Sequence, residues 1–329
     1  AEAEVEAEPV FEAEPEAEAE TEPEAEAAAE PEPEAEAEPE SSPNAATLIE
    51  WIVDASEESQ PDAPAAVPER QYTDAEIRNQ IQLSGLTISL QPRYALNQNE
   101  VAGAEVSISC RHPIRDKIFP EELASSLREI GKLHMLDRYI FECLCLCQPQ
   151  DRIGGSQIFE LVLPVFPESV TQPDFSRWYI DMINYYEIDP GLFRLDLVYD
   201  WPHTQDAAIY QSLQELTEAG FRLALKEVGD TNYPLNIFSE VDLEALVIAE
   251  KLVLEAFTLP KKHKLLQALK GLCTQMGFRM EADRIDSREK FQFLTKLGCQ
   301  VFQGNFLTRP IPLEQFWEYK RKLDTRRSG

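Results

Sequence analysis

From Tyr72 onward the chain alternates short, nearly continuous apolar runs with longer amphipathic ones. The apolar runs predict strands over 84–92, 103–110, 157–165, 191–199, 220–226, 244–249, 278–283 and 298–302. Between most of them apolar residues recur at helical spacing, which predicts helices over 120–130, 135–147, 174–186, 206–219, 260–275, 288–296 and 312–322. A strand that stays apolar at successive positions is buried on both faces, and eight such strands separated by helices are what an α/β barrel requires. Ligands of such barrels gather at the carboxyl ends of the strands, so polar residues there are the ones to examine for chemistry.

The first 70 residues lack this texture. Residues 1–44 alternate Ala and Glu, with Pro every few positions, and carry too few large apolar side chains to pack. They read as an extended, solvating tail or linker. The stretch 45–54 interrupts the tail, because Leu48, Ile49, Trp51, Ile52 and Val53 would share one face of a short helix. Two readings stay open for it: a helix that docks in a partner's groove, and an arm that packs back on its own domain. Residues 55–70 return to Pro, Ala and acids, so the chain divides into an acidic tail, 1–70, and a folded domain, 71–325.

Charge follows the same division. The chain has 60 acidic and 30 basic residues, and the first 70 positions hold 24 of the acids against Arg70 alone. The folded part is only mildly acidic and offers no electrostatic footprint for phosphate, so direct DNA binding is not expected. No apolar run approaches the roughly 18 residues that a membrane-spanning helix needs. The N-terminus has no signal-peptide pattern. The missing initiator Met reads as processing or a fragment, with room for upstream domains. Six cysteines (Cys110, Cys143, Cys145, Cys147, Cys273 and Cys299) lie in apolar company without paired metal-ligand spacing. They are expected to be buried thiols, and the cytoplasm is the compartment that fits them.

One acid stands apart. Glu105 lies among the small and apolar residues of the 103–110 strand, where a carboxylate needs a metal, a cation or hydrogen bonds to satisfy it. Leu90-Gln-Pro92, Gly103-Ala-Glu105, Pro120, Leu136-Asp137, and Leu297-Gly-Cys-Gln-Val-Phe-Gln-Gly304 with Arg309-Pro310 follow one another in order. Together, from about Ile77 to Phe316, they resemble the EAL domain, a family of cyclic di-GMP phosphodiesterases. The resemblance implies an eight-stranded barrel whose first strand runs antiparallel. It also implies two divalent cations at the carboxyl ends, activating a water that attacks one phosphodiester.

Carried over position by position, that resemblance finds most of the machinery replaced. Glu105 matches the signature Glu, but Val106 and Ser107 stand for its Ala and Leu. The Asn ligand of the family matches Pro164, the next Glu matches Asp196, and its loop-stabilising companion matches Tyr199. The paired aspartates become Lys226 and Glu227, the catalytic lysine becomes Ala245, and the late Glu becomes Asp283, with Asp286 at the second Glu of that motif. Ser109 replaces the phosphate-gripping arginine. The residues left for nucleotide contact are Gln91, Arg93, Ser109, Arg111, Lys226, Gln303 and Gly304. Two roles stay open for Lys226, a direct phosphate contact and the neutralisation of the acids around it.

His112 matches a turn of the family, while His134, His203 and His263 have no ligand spacing. Residues 229–232 match a loop that couples dimerisation to catalysis in the family, so a homodimer stays open. The resulting expectation is a degenerate EAL barrel with no stable two-metal Mg/Mn site and no catalysis. It would act as a regulatory adaptor through an unidentified protein partner, with cyclic di-GMP as a ligand that it senses. The alternative is a residual phosphodiesterase with a rearranged metal site.

Overall fold

Phe193-Arg-Leu-Asp-Leu-Val198 shows how this sequence makes a strand. Phe193, Leu195 and Leu197 turn outward to helices, while Arg194 and Asp196, two apart, share the opposite face as strand geometry requires. In the computed structural model that face lines the inside of a closed barrel. The structure describes residues 86–96, 100–112, 116–118, 120–129, 131–146, 159–200, 206–231 and 233–328. The acidic tail, with Leu48, Ile49, Trp51, Ile52 and Val53, lies outside the described residues, as do Cys147 and His203.

The strands are β1 (Leu86–Ala95), β2 (Glu100–His112), β3 (Asp116–Ile118), β4 (Glu160–Val165), β5 (Phe193–Val198), β6 (Arg222–Val228), β7 (Ala245–Ile248), β8 (Arg279–Ala282), β9 (Val301–Phe302) and β10 (Ile311–Pro312). Strands β2, β4, β5, β6, β7, β8 and β9 run parallel in that order. The barrel closes through β1, which is antiparallel to both β2 and β9. The expected eight-stranded barrel with one reversed strand is therefore the observed fold. Strands β3 and β10 extend its edge and were not expected, since two or three residues carry no readable periodicity.

The helices are α1 (Pro120–Glu129), α2 (Leu133–Leu146), α3 (Pro167–Val170), α4 (Phe175–Tyr186), α5 (Asp206–Glu218), α6 (Ile237–Glu240), α7 (Glu250–Ala256), α8 (Pro260–Met276), α9 (Arg288–Leu297) and α10 (Leu313–Ser328). Of these, α3, α6 and α7 were not predicted, being one or two turns each. Between the helices and the barrel wall, Phe141 packs against Tyr179 and Phe193 with ring centroids 4.7 Å apart in both pairs. Cys145, Cys273 and Cys299 are buried thiols in this layer. Burial pushes Cys145 and Cys299 up to about 12 and Cys273 up to about 11.

The inside of the barrel differs from the branched aliphatic layers usual in such folds. Its floor, at the amino ends of the parallel strands, is a lattice of charges. Arg194 forks onto Asp196 at 2.7 and 3.0 Å and reaches Glu281 at 2.9 Å. Glu160 accepts from Arg222 at 2.9 Å, Arg279 at 2.8 Å and Arg93 at 3.3 Å, and Arg93 also donates to Glu281. Burial alone would raise the Glu160 and Glu281 pKa values; the guanidinium groups of Arg194, Arg93 and Arg279 outweigh it and hold both well below the usual carboxylate range. Gly103 leaves room for this packing, because a Cβ there would meet the Glu160 carbonyl oxygen at 2.4 Å and its Cβ at 2.7 Å.

Candidate functional site at the barrel mouth

At the opposite end, strand β6 breaks its pairing with β7 between Leu225 and Val228. Such a bulge re-aims the side chains next to it. Here Glu227 takes φ +60°, in the left-handed region that non-glycine residues rarely enter. Lys226 turns inward, and its backbone oxygen accepts a hydrogen bond from the Tyr233 hydroxyl in the following loop. Tyr233 in turn packs on Tyr199, with ring centroids 5.6 Å apart.

The Lys226 ammonium lies between two strands' carboxylates. Its Nζ is 2.7 Å from Glu105 on β2 and 3.1 Å from Asp283, the residue just past β8. The three side chains are only 7%, 15% and 7% exposed for Lys226, Glu105 and Asp283. Burial by itself would lower the lysine's pKa, but Glu105, Asp283 and Asp196 together raise it above the ordinary value.

A second wall comes from β1 and the chain after β9. Gln91 sits across from Glu105 in register. It accepts from Gln303 at 3.0 Å and donates to Asn305 at 3.2 Å and to the Thr308 backbone oxygen at 2.9 Å. Gly304, at φ +154°, lies so close to Ile285 that a Cβ would meet that residue's backbone N and O at 2.2 Å. The Gln-Gly pair thus joins the last strand to the loop after β8.

Not every candidate residue reaches this mouth. Arg93 does not, because β1 is reversed: it pairs with Gly103 at the barrel floor and is buried against Glu160 and Glu281. Ala245 is also at the floor, opening β7 opposite Arg279. At the height of Glu281 the β7 residue is Val247, and Ala249 follows the strand, so neither supplies an amine. Ser109 lies two alternate positions beyond Glu105 on β2, and Arg111 lies near the end of that strand, paired in register with Lys117. Pro164, one residue before the end of β4, lies beside Asp196 and offers no side-chain oxygen.

Two divalent cations do not fit this arrangement. An ammonium occupies the space between Glu105 and Asp283, and both oxygens of Asp196 are committed to the Arg194 fork. Among the described residues, no group of three or more His, Cys, Asp and Glu side chains is placed to hold a metal ion.

Two features were not anticipated, one at the mouth and one on the barrel floor. Arg284 immediately follows Asp283, takes φ +51°, and pairs with Glu227 at 3.0 Å. Two strained non-glycine residues are therefore tied together across the mouth, a placement typical of functional sites. Burial raises the Glu227 pKa, and Arg284 only partly offsets it. The Arg194–Asp196 fork was legible in principle, since alternate residues of one strand share a face.

Below the β4 loop, the buried carboxylate of Asp137 accepts from the Phe166 backbone N–H at 3.0 Å and from the Ser169 hydroxyl at 2.5 Å. Its other oxygen, Oδ1, has no hydrogen-bond partner among the described residues. Burial pushes this carboxyl up to about 7 against the pull of those two donors. A raised acid pKa means that the folded chain holds a proton which the unfolded chain releases between about pH 4 and 7, so stability falls as pH rises through that window. Asp137→Asn should flatten that fall by roughly 2–4 kcal/mol. Urea midpoints at pH 4.5 and 7.5 provide the check, and an unchanged difference between them would refute the assignment.

The EAL domain family profile matches residues 74–310. The signaling protein YkoW of Bacillus subtilis is 22% identical over 245 residues, covering 74% of this chain and 30% of its own length. The cyclic di-GMP phosphodiesterase NbdA of Pseudomonas aeruginosa is 20% identical over 254 residues, covering 75% of this chain and 32% of its own length. The chain thus spans about a third of these curated relatives. Among solved structures, the PaMucR phosphodiesterase in complex with c-di-GMP superposes with a TM-score of 0.67 at 17% identity, over 74% of this chain and 98% of that one. The FimX EAL domain from Pseudomonas aeruginosa bound to c-di-GMP does so with a TM-score of 0.59 at 16% identity, over 72% and 95%. At such identities the structural likeness speaks for the fold.

Proposed function

This chain belongs to the EAL domain family, and from that premise we propose that it is a regulatory member which does not hydrolyse cyclic di-GMP and works through protein contacts. The observation that carries this reading is the Lys226 ammonium seated 2.7 Å from Glu105 and 3.1 Å from Asp283. A pair of dications would have to displace a buried, ion-paired lysine and free Asp196 from Arg194 before any water was activated. Losing even one ligand or its supporting partner commonly costs 10–100-fold in metal affinity or activity, and here several positions change together.

Nucleotide sensing is the second part of the proposal. A pocket keeps binding when chemistry is lost, because the two draw on partly different contacts. Gln91, Gln303 and Gly304 form a polar wall beside Lys226, and the half-exposed guanidinium of Arg284 is a cation at the mouth available for phosphate. Solved relatives with this fold hold c-di-GMP.

Calorimetric titration with cyclic di-GMP, with and without Mg2+ or Ca2+, run beside a hydrolysis assay, tests both parts. We expect no turnover under either condition. Binding heat that is independent of metal and lost in Lys226→Ala establishes the sensing role; absence of heat confines the protein to the adaptor role. Metal-dependent turnover that disappears in Glu105→Ala overturns the proposal.

A further inference from the structure

Helix α7 and the start of α8 present an unusual outer face. Leu254, Phe257 and Leu259 are 52%, 46% and 48% exposed and follow one another along it. Beside them is a cavity of about 360 Å3 lined in part by Phe257, Pro260, His263 and Lys264. Its floor is held rigid, since Phe257 packs on Phe293 with ring centroids 4.6 Å apart and His263 meets the same ring edge-on at 5.6 Å.

The rim of this face is basic. Lys262 is neutralised by Glu255 at 2.7 Å, whereas Lys261 and Lys264 have no carboxylate within ion-pair distance among the described residues. A surface that combines exposed aromatic and aliphatic side chains with unpaired cations calls for an occupant that is both apolar and acidic.

We propose that the occupant is the chain's own segment Leu48-Ile-Glu-Trp-Ile-Val53. It offers five large apolar side chains and Glu50, and is followed by Asp54, Glu57 and Glu58. The 70 residues that include it hold 24 acids against one base, so the field of the basic rim selects this part of the molecule over the rest. Between Val53 and Leu86 lie 32 residues, an extended reach of ~100 Å. Linker length therefore permits docking anywhere on the barrel, and what selects this face is its chemistry. Trp51 is the anchor for the cavity, as a buried aromatic usually is at such an interface. Tethering holds the segment at an effective concentration on the order of millimolar, so even a weak intrinsic affinity of ~100 μM keeps it seated about nine-tenths of the time.

Hydrogen exchange of the full chain tests this, reading the amides of 254–267. Trp51→Asp should speed their exchange on the order of tenfold while leaving β4–β6 unchanged, and the double variant Lys261→Glu, Lys264→Glu should do the same. The protection in the unaltered chain should be independent of protein concentration and should weaken with added salt. No change in either variant overturns the proposal. Protection that grows with concentration and survives Trp51→Asp also overturns it, and assigns the face to a second copy of the chain.

Discussion

Arg194→Ala should cost the barrel about 3–5 kcal/mol, the usual consequence of removing one partner from a buried ion network. Arg194 is fully buried and satisfies Asp196 and Glu281 at once, so its loss takes both fork bonds from the buried Asp196 and leaves Glu281 to Arg93 and Arg279. Arg194→Lys should recover only part of the loss, because an ammonium cannot reproduce the planar fork onto Asp196. Urea unfolding at neutral pH gives the number, and a cost under about 1 kcal/mol would show that the lattice does not support the fold. Acid should narrow the gap between the two proteins. Glu160 and Glu281 titrate below their unfolded values, so they stabilise the folded chain at pH above about 4.3 and that contribution fades as pH falls through the folded values. With Arg194 absent, less of this contribution remains to be lost.

The second large effect is expected at Lys226. Lys226→Met removes the charge between Glu105 and Asp283 and leaves two carboxylates buried side by side. The predicted cost is about 3 kcal/mol or more near pH 7. It should shrink only at the alkaline end. The lysine pKa of the unaltered chain is raised on folding, so the stabilisation is complete below about 10.4 and fades only as pH climbs through the folded value. Melting curves of the two proteins between about pH 7 and 12 read this effect. A cost that does not vary with pH would mean that Lys226 acts through packing alone.

The fold was highly legible because strand burial leaves a direct mark on composition. Runs such as Leu161–Val165 and Ala245–Ile248 are apolar at nearly every position, which only a strand covered on both faces tolerates. The short elements α3, α6, α7, β3 and β10 left no mark, since one turn of helix or one bridge is decided by its neighbours. At the site, Glu105 and Lys226 were legible as a buried acid and a cation among acids. Arg93, a candidate from its place near a strand end, and Ala245, matched through the resemblance, both lie on the barrel floor, and only the register shows it. A residue's height within a barrel depends on the stagger between strands, which no single strand's sequence contains.

What the sequence alone determined, then, is the closed α/β barrel and the uneven distribution of charge, with 24 acids against one base in the first 70 residues. Each of these depends on residue type and local period, which are properties of the chain itself. The tertiary structure alone decided that Lys226 bridges Glu105 and Asp283, 121 and 57 residues away along the chain, and that four arginines meet their carboxylates on the barrel floor. Those pairings join residues brought together only when strands close in one register, and an ion pair has an energy only at the distance which that closure imposes.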